Sequence, residues 1–255
     1  MTGAGLLWHQ FRYDQKVFWR NPASVFFTVM LPLIFLFIFA TIFGNDEIPE
    51  RAVKTTTYYV PAIISLAVIS ATLQSLAINL TQDRERGLLK RVRGTPLPTS
   101  VFVAGRVGNS LVVSVLMAIL VAIIGKLVYD VSLPSETIPA VLVTLAVGAS
   151  AFCCLGFALT TIIPSEDAAP AISNATVLPL YFISGIFIPD SEIPEGVLRV
   201  ADVFPIRHFF EAFFTAWDPN TVGAGFEWGD LAIVTAWGIA GLLVAILAFR
   251  WEPHR

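Results

Sequence analysis

The residues best able to bind another molecule stand together in the run DRERGLLKRVRG, at positions 83–94. On a helix, Leu88, Leu89 and Val92 share one side, and Gly94 is placed to end the helix. The cations fill the remaining surface, and they are Arg84, Arg86, Lys90, Arg91 and Arg93. Such a helix can bind anionic lipid headgroups, or its charge can steer and orient a soluble partner protein. The charge pattern alone leaves both interpretations open.

The rest of the sequence contains no motif that is typical of an enzyme. There is no G-x-x-x-x-G-K-[ST], G-x-S-x-G or H-E-x-x-H motif, and the three histidines are far apart. Cys153 and Cys154 are adjacent in an apolar run, which favours simple packing over a disulfide or a metal site. We therefore expect no catalytic residue, no metal and no directly bound cofactor, and we expect that the chain is not an enzyme.

The elements that carry the basic run are apolar. The chain is 56% hydrophobic and 14% charged, whereas a soluble domain is about a quarter charged. A helix that crosses the ~30 Å hydrocarbon core of a bilayer needs ~20 apolar residues. Six runs approach or exceed that length, and they cover residues 25–43, 58–80, 107–129, 138–163, 168–188 and 231–251. This pattern predicts an all-α polytopic membrane protein with six transmembrane helices.

Orientation follows from Lys and Arg, which concentrate in short cytoplasmic loops. With the N-terminus inside, eleven cations face the cytoplasm and five face outward. We therefore expect both termini and residues 83–94 to be cytoplasmic in a multi-pass protein of the cell membrane.

The N-terminal residues 1–22 predict an amphipathic helix that lies in the membrane interface. Its cationic face consists of His9, Arg12, Lys16 and Arg20. Its apolar face consists of Leu7, Phe11 and Phe18, and Trp8 and Trp19 are placed at headgroup depth. Asn21 and Pro22 should end this helix and turn the chain into the first span.

Polar side chains within the apolar runs are uncharged. Gln74, Asn79 and Asn174 could line a transport pathway, although hydrogen bonds between helices explain such residues equally well. Ion-coupled carriers usually place charged groups within a span. If the protein moves a cargo, the lack of such charges favours an energy source outside this chain.

Two loops carry further candidate residues. Glu166 and Asp167 lie in the short loop between spans four and five, which lacks Lys and Arg. This loop is either a second contact with a soluble partner or a solvated turn.

Residues 189–217 follow span five and include FPIRHFFEAFFTAW, which is too short to cross a bilayer. We expect a pair of re-entrant helices on the outer side, with aromatic residues at headgroup depth and Arg207 paired with Glu211; a surface loop is the alternative.

Residues 81–107, TQDRERGLLKRVRGTPLPTSVFVAGRV, resemble the loop of ABC-2 type transporter permeases. In that family an acidic and arginine-rich E-R-E-x-G run leads into L-K-R-x-x-x-T-P, and here Asp83 and Leu88 replace the commoner Glu and Thr. The end of the fifth run, PLYFISGIFIP, and the later FPIRHFFEAF agree with the same family. The resemblance covers nearly all of residues 1–255, as one transmembrane domain, and is strongest to drug- and antibiotic-exporting members such as the daunorubicin-resistance permeases.

The resemblance implies roles for particular residues. Residues 83–94 would form a coupling helix inserted into a separate ATPase subunit, through Arg84, Glu85, Arg86, Gly87, Leu89, Lys90 and Arg91, with Glu166 and Asp167 as the second contact. An outer gate would include Phe204, Arg207, Phe210 and Glu211.

The resemblance also implies an assembly and an activity. Two copies of the ATPase would bind ATP and Mg²⁺, and a second copy or a paralogue of this permease would complete the transporter in the lipid bilayer. It would export an amphipathic drug, lipid or lipid-like compound, and no nucleic acid is expected as a partner. The alternatives are a permease for lipid-linked glycans or polysaccharides and a secondary carrier.

Overall fold

A computed structural model describes residues 3–43, 47, 48, 51, 53–95, 97–249 and 252. Its α-helices are α1 (Gly3–Trp19), α2 (Pro22–Val25), α3 (Leu31–Ile42), α4 (Thr55–Ile69), α5 (Ser75–Glu85), α6 (Leu88–Arg93), α7 (Thr99–Tyr129), α8 (Ile138–Leu159), α9 (Ala168–Ile183), α10 (Glu195–Ala201), α11 (Pro205–Trp217) and α12 (Trp228–Ala248). Two π-helical segments, Phe26–Met30 and Ser70–Gln74, join α2 to α3 and α4 to α5. A 3₁₀ turn covers Asp190–Glu192. Strands β1 (Glu47–Ile48) and β2 (Val53–Lys54) pair antiparallel, with Glu47 opposite Lys54.

The central element is one continuous helix, Thr55–Glu85, formed by α4, the second π segment and α5. At ~1.5 Å per residue it is about 45 Å long. Every residue from Thr55 to Ile69 is buried, and helices α3, α7, α8 and α11 pack around this part. A helix that is apolar on all sides lies either in lipid or in the core of a protein, and the burial of Thr55–Ile69 places this part of the helix in the core of the bundle.

Small residues let α8 and α12 form the most extensive helix–helix interface of the bundle. A Cβ atom added at Gly238 would lie 2.8 Å from the Cβ of Ala151, and one added at Gly241 would lie 3.0 Å from the backbone N of Leu155. Because glycine removes this conflict, the two backbones approach closely enough to pack well without lipid between them.

Four helices of the described chain are long and apolar enough to cross a membrane: Thr55–Glu85, Ser100–Tyr129, Ile138–Leu159 and Trp228–Ala248. Two shorter apolar helices, Thr28–Ile42 and Ala168–Ile183, lie in the other two predicted spans. At ~1.5 Å per residue they measure about 23 Å, which is less than the ~30 Å hydrocarbon core. The helices are those of a mostly helical membrane protein, and the count of six spans stays a prediction.

Helix α1 packs across the first turns of α7. Phe18 and Asp14 face inward, whereas His9, Arg12 and Lys16 are exposed. Gly105 permits this crossing, because a Cβ there would lie 2.5 Å from Cγ of Gln10. The helix therefore has the charged outer face that its sequence predicts, together with one buried acid that the sequence did not single out.

Helices α10 and α11 occupy the predicted re-entrant segment. The aromatic residues Phe209, Phe210 and Phe213 are completely buried, and α11 packs against α4, α8 and α12. The rings therefore pack against other helices of the bundle, and their expected depth at the lipid headgroups stays a prediction. Their large apolar surface is more fully removed from water inside the helix bundle than at a shallow interface.

Candidate functional site

The basic segment, residues 83–94, is divided in two. Helix α5 ends at Glu85, Gly87 adopts the left-handed conformation with φ 71°, and α6 begins at Leu88. Only glycine takes this conformation without steric cost, so Gly87 permits the sharp break. The single helix expected over 83–94 is therefore a helix end followed by a separate helix of six residues.

Arg84 is not on the surface with the other cations. Its side chain is 2% exposed, and its guanidinium donates from Nη1 to the carbonyl of Thr160 at 2.9 Å and from Nη2 to the carbonyl of Ile163 at 2.6 Å. Its Nε atom donates to Glu85 at 2.8 Å. The last carbonyl groups of a helix have no donor within the helix, and the helix dipole is negative at this end. A cation at the carboxyl end of α8 therefore interacts favourably with both. Arg84 thus joins the central helix to the end of α8, and direct contact with a partner is closed to it in this conformation.

Of the other predicted contact residues on α6, Lys90 and Arg91 are exposed, and Leu88 beside them, which was not predicted as a contact, is 38% exposed. Leu89 was predicted to contact the partner, but it is fully buried and fixes α6 to the bundle, so a partner cannot reach it in this conformation. Arg86 reaches the α8–α9 loop, where its Nε donates to Glu166 at 3.0 Å.

The α8–α9 loop ends at the start of α9. Ser165 Oγ accepts a hydrogen bond from the backbone N of Ala168 at 3.2 Å, and the exposed Asp167 immediately precedes that helix. The predicted acidic loop therefore lies beside the basic segment, at what we call the basic end of the bundle.

A cavity of about 290 Å³, the main cavity, lies between α3, the central helix and α9. Gln74, Asn79 and Asn174 all line it. Gln74 Nε2 donates to Asn174 Oδ1 at 3.0 Å, and Asn79 Nδ2 donates to Ser75 Oγ at 3.1 Å. Both interpretations of these amides, pathway lining and structural hydrogen bonding, are therefore compatible with the structure. The amide groups make hydrogen bonds to each other or within their own helix, and all three residues line the main cavity.

Both π-helical segments border the main cavity, through Thr28 of the first and Ser70 and Gln74 of the second. Ser70 Oγ donates to Gln74 Oε1 at 2.9 Å and lies 3.3 Å from the hydroxyl of Tyr181 on α9. Single-turn π segments within α-helices occur frequently at functional sites. Most of the wall is apolar and includes Leu31, Phe35, Leu66, Ile78, Leu178 and Phe187.

A buried ion group at the basic end was missed by the sequence analysis. Arg106 of α7 lies between Asp83 of α5, to which its Nη2 donates, and Asp14 of α1, whose Oδ1 is 3.4 Å from Arg106 Nε. Burial raises the pKa of Asp14, although the positive charge of Arg106 opposes the shift. The sequence does contain a signal that Asp14 is buried, because this residue is the only acid in α1 and shares a helical face with Phe11 and Phe18.

A second ion group, the Arg51 cluster, lies at the opposite end of the bundle and comprises Arg51, Asp190, Asp202, Arg207 and Glu211. Arg51 binds Glu211 through two hydrogen bonds of 3.0 and 2.7 Å and Asp190 through one of 3.1 Å. Burial alone would lower the pKa of Arg51, but the hydrogen bonds and charge of Glu211 outweigh it and raise the pKa. The guanidinium therefore stays charged.

The predicted pairing of Arg207 with Glu211 is wrong. Arg207 instead binds Asp190 at 2.8 Å and Asp202 at 2.7 Å, so its link to Glu211 runs through Asp190 and Arg51. Longer-range partners win because Arg51 offers Glu211 a two-point geometry that a neighbour on the same helix does not provide here. Of the other two predicted gate residues, Phe204 is half-buried and stacks on Trp237 at 6.2 Å, whereas Phe210 is fully buried and meets Tyr58 edge-on at 5.5 Å.

Known permeases resemble this chain over most of its length. The transport permease YvfS of Bacillus subtilis is 24% identical over 233 residues, covering 91% of this chain and 92% of the relative. The inner membrane transport permease YadH of Escherichia coli K12 is 23% identical over 231 residues, covering 87% and 84%. The daunorubicin resistance ABC transporter permease protein DrrB1 of Streptomyces coeruleorubidus is 25% identical over 191 residues, covering 73% and 66%.

The family model for ABC-2 type transporters matches residues 6–216, which include the basic segment, the residues of the main cavity and both ion groups. Because this match extends over far more than half of the sequence, the chain belongs to the ABC-2 type transporter family.

Proposed function

We propose that this chain is the membrane subunit of an ATP-driven exporter that moves an amphipathic drug, lipid or lipid-like compound out of the cell. Permeases of this family work with ATPase partner subunits. In our proposal the basic end faces the cytoplasm, both termini are cytoplasmic, and the Arg51 cluster faces outward. All six apolar helices cross the bilayer, the two shorter ones with local thinning or help from neighbouring helices.

The connection between α6 and the main cavity is the observation that carries this proposal. An ATPase would bind Leu88, Lys90 and Arg91, which are exposed on α6. The buried Leu89 on the other side of α6 holds this helix against the bundle. Any shift of this helix acts on Gly87 and thus on Arg84 and Arg86, which are bonded to residues 160–166.

The last step of this connection reaches the cavity wall. Residues 160–166 lead directly into α9, and α9 supplies Asn174 and Tyr181 to the main cavity. Movement of the α8–α9 loop would change the Gln74–Asn174 contact and the width of the cavity between the central helix and α9. The proposal therefore assigns Arg84 a transmitting role inside the permease and assigns the contact with the ATPase to Leu88, Lys90, Arg91 and the exposed Asp167.

The Arg51 cluster would act as the outer gate. It connects the loop before the central helix to residues 190–211, so its ion pairs close the outward end while the bundle is in this conformation. Two copies of the ATPase, each with ATP and Mg²⁺, and a second copy of this permease or a paralogue complete the proposed assembly. Opening would separate the two permeases and release the cargo toward the outer leaflet.

The wall of the main cavity favours a lipid-like or drug-like cargo. It combines a few amide groups with six large apolar side chains, a composition typical of small-molecule sites. Export of a lipid-linked glycan is the alternative within the same family, but a sugar chain needs a larger and more polar passage than these residues form.

The test is charge reversal on α6 in the complete transporter. We expect Lys90→Glu with Arg91→Glu to abolish co-purification of the ATPase and ATP-dependent transport, because the reversed charges repel the surface that they normally orient. Membrane insertion should be unchanged, and Arg199→Glu, an equally exposed change at the opposite end, should have no effect. Normal ATPase binding and transport in the double variant would contradict the proposal and leave lipid binding as the role of α6.

A further inference from the structure

The wall of the main cavity carries no charge. None of the described residues that line it is Asp, Glu, Lys, Arg or His, although the cavity lies at a bundle end rich in ion pairs. The polar groups of the wall are amides and hydroxyls from Asn, Gln, Ser, Thr and Tyr residues. A charged ligand group in this space would lose its water without gaining a counter-ion, and such a transfer is strongly unfavourable.

The charged side chains of the adjoining cavity do not supply a counter-ion either. This second cavity, of about 110 Å³, shares part of its wall with the main cavity, and its charged lining residues are two arginines and two aspartates. Arg106 binds Asp83 and lies 3.4 Å from Asp14, and Arg86 binds Glu166 at 3.0 Å. Each of these groups therefore already has a partner of opposite charge within the protein.

The amides of the main cavity retain hydrogen-bonding capacity. Asn174 Oδ1 accepts from Gln74 Nε2 at 3.0 Å, but Asn174 Nδ2 donates to no group among the described residues. Asn79 Nδ2 donates to Ser75 Oγ at 3.1 Å, and no donor to Asn79 Oδ1 is found in the part of the chain that the structure describes. Asn174 is exposed, and Gln74 and Asn79 are half-buried, so a ligand can reach them. The wall thus offers both a donor and an acceptor, and a hydroxyl or an amide group can serve both.

We propose that the main cavity selects a cargo with an uncharged head group that carries hydroxyl or amide groups, and that it discriminates against cationic and anionic amphipaths. This inference rests on the proposed transport function and names its cargo class. The head group would bind Asn79 and Asn174, and the hydrocarbon or aromatic part would contact Phe35, Leu66 and Leu178 of the apolar wall.

The experiment measures binding of fluorescent probes to the purified permease in nanodiscs of zwitterionic lipid, without any ATPase. The probes share a dansyl group and an eight-carbon chain, and they end in a glyceryl diol, a methyl, a primary ammonium or a sulfonate group. Partition into empty nanodiscs is subtracted. We expect the diol to bind about tenfold more tightly than the methyl probe, because it gains hydrogen bonds to the amides. Both ionic probes should bind at least about tenfold more weakly than the diol, because they find no counter-ion.

Three results would overturn the proposal. The first is an ionic probe that binds as tightly as the diol, and the second is a methyl probe that does so. The third is the absence of saturable binding for all four probes.

Asn174→Asp should reverse the selectivity. The change keeps the acceptor that faces Gln74 Nε2 and adds a carboxylate to the cavity wall. We expect the ammonium probe to gain at least about tenfold in affinity and to bind more tightly than the diol, an outcome that loss of structure cannot imitate. Asn220→Asp adds the same charge in the exposed loop between α11 and α12 and should leave all four affinities unchanged. No gain for the ammonium probe in Asn174→Asp would mean that the head group does not bind there.

Removal of the amides tests the hydrogen bonds. Gln74→Leu with Asn174→Leu should abolish the advantage of the diol over the methyl probe while the methyl probe still binds, and an advantage that survives would contradict the assignment. Since the assay contains no ATPase, its failure leaves the coupling proposal standing. The α6 double variant, which tests that proposal, should bind all four probes as the unaltered chain does.

Discussion

Arg51 and Glu211 form a two-point ion pair across 160 positions of the sequence, with hydrogen bonds of 3.0 and 2.7 Å. The guanidinium also lies 4.7 Å from the ring centre of Phe214 and 5.7 Å from that of Tyr58. The pair therefore fixes the chain before the central helix to α11, and aromatic faces shield the bonds from solvent.

Removing the two partners of this pair should not have additive effects on stability. We expect Arg51→Gln alone to lower the free energy of unfolding by about 2–3 kcal/mol, because it leaves the mostly buried Glu211 without its counter-ion. Arg51→Gln with Glu211→Gln should be less harmful than the sum of the single changes. Thermal or denaturant unfolding in detergent, with Glu195→Gln as the exposed control, measures the difference. Additive effects of the two substitutions would show that the pair is not coupled.

Gly148 accommodates the ring of Phe209, and its replacement should displace α11. A Cβ at position 148 would lie 2.1 Å from Cε2 of Phe209, so even Gly148→Ala forces a helix or a ring to move. We expect a loss of about 1–3 kcal/mol in unfolding free energy, as for other overpacked sites. Gly196→Ala is the matched control, since nothing lies within 4 Å of its added Cβ, and it should be neutral or slightly stabilising. Equal stability of the two variants would mean that α11 does not depend on this contact.

Arg84 and Arg86 should differ sharply in their effect on stability. Arg84→Met leaves the carbonyls of Thr160 and Ile163 buried without a donor, and we expect it to cost about 2–4 kcal/mol. Arg86→Met breaks an ion pair whose side chains are 59% and 39% exposed, and it should cost less than ~1 kcal/mol. Unfolding curves of the two variants provide the comparison, and similar losses would contradict the assignment of Arg84 to the interior.

Asp14 should give the protein a characteristic pH dependence. Burial raises its pKa in the folded state, against the opposing effects of Arg106 and Gln10 and in the same direction as Asp83. Its contribution to stability is then full below the ordinary pKa of 3.8 and is lost as pH rises through the raised value.

Unfolding measured across acidic to neutral pH tests this trend. The Asp14→Asn variant should lose this component of the stability profile. If its profile matches that of the unaltered chain, the titrating group is not Asp14.

Regular elements could be predicted from the sequence because local patterns determine them. The apolar run at 58–80 lies in a helix that is long and apolar enough to cross a membrane, as its length and hydropathy indicate, and Asn21-Pro22 marks the end of α1. Gly94 was expected to end the basic helix and does so, whereas Gly87 was assigned only a coupling role although it breaks the helix. A glycine between two charged runs is compatible with either outcome until tertiary contacts decide.

Side-chain partners could not be predicted, because they depend on residues far away in the sequence. Arg84 looks like its exposed neighbours in a charge pattern, yet two carbonyls about 80 positions later make burial favourable. Glu211 has a cation four positions before it, yet its partner is Arg51. Gln74, Asn79 and Asn174 were grouped only by their polarity within apolar runs, and the structure places all three at the main cavity.

The central claim is that α6 acts on the main cavity through Arg84, and cavity accessibility tests it most directly. Leu178→Cys, in a background with Cys153→Ala and Cys154→Ala, places one thiol in the wall of the main cavity. In the complete transporter we expect ATP to change its rate of reaction with a maleimide severalfold. Arg84→Lys should remove this change while the ATPase stays bound, because an ammonium cannot donate to both carbonyls as the planar guanidinium does. An unchanged ATP response in Arg84→Lys would contradict the account.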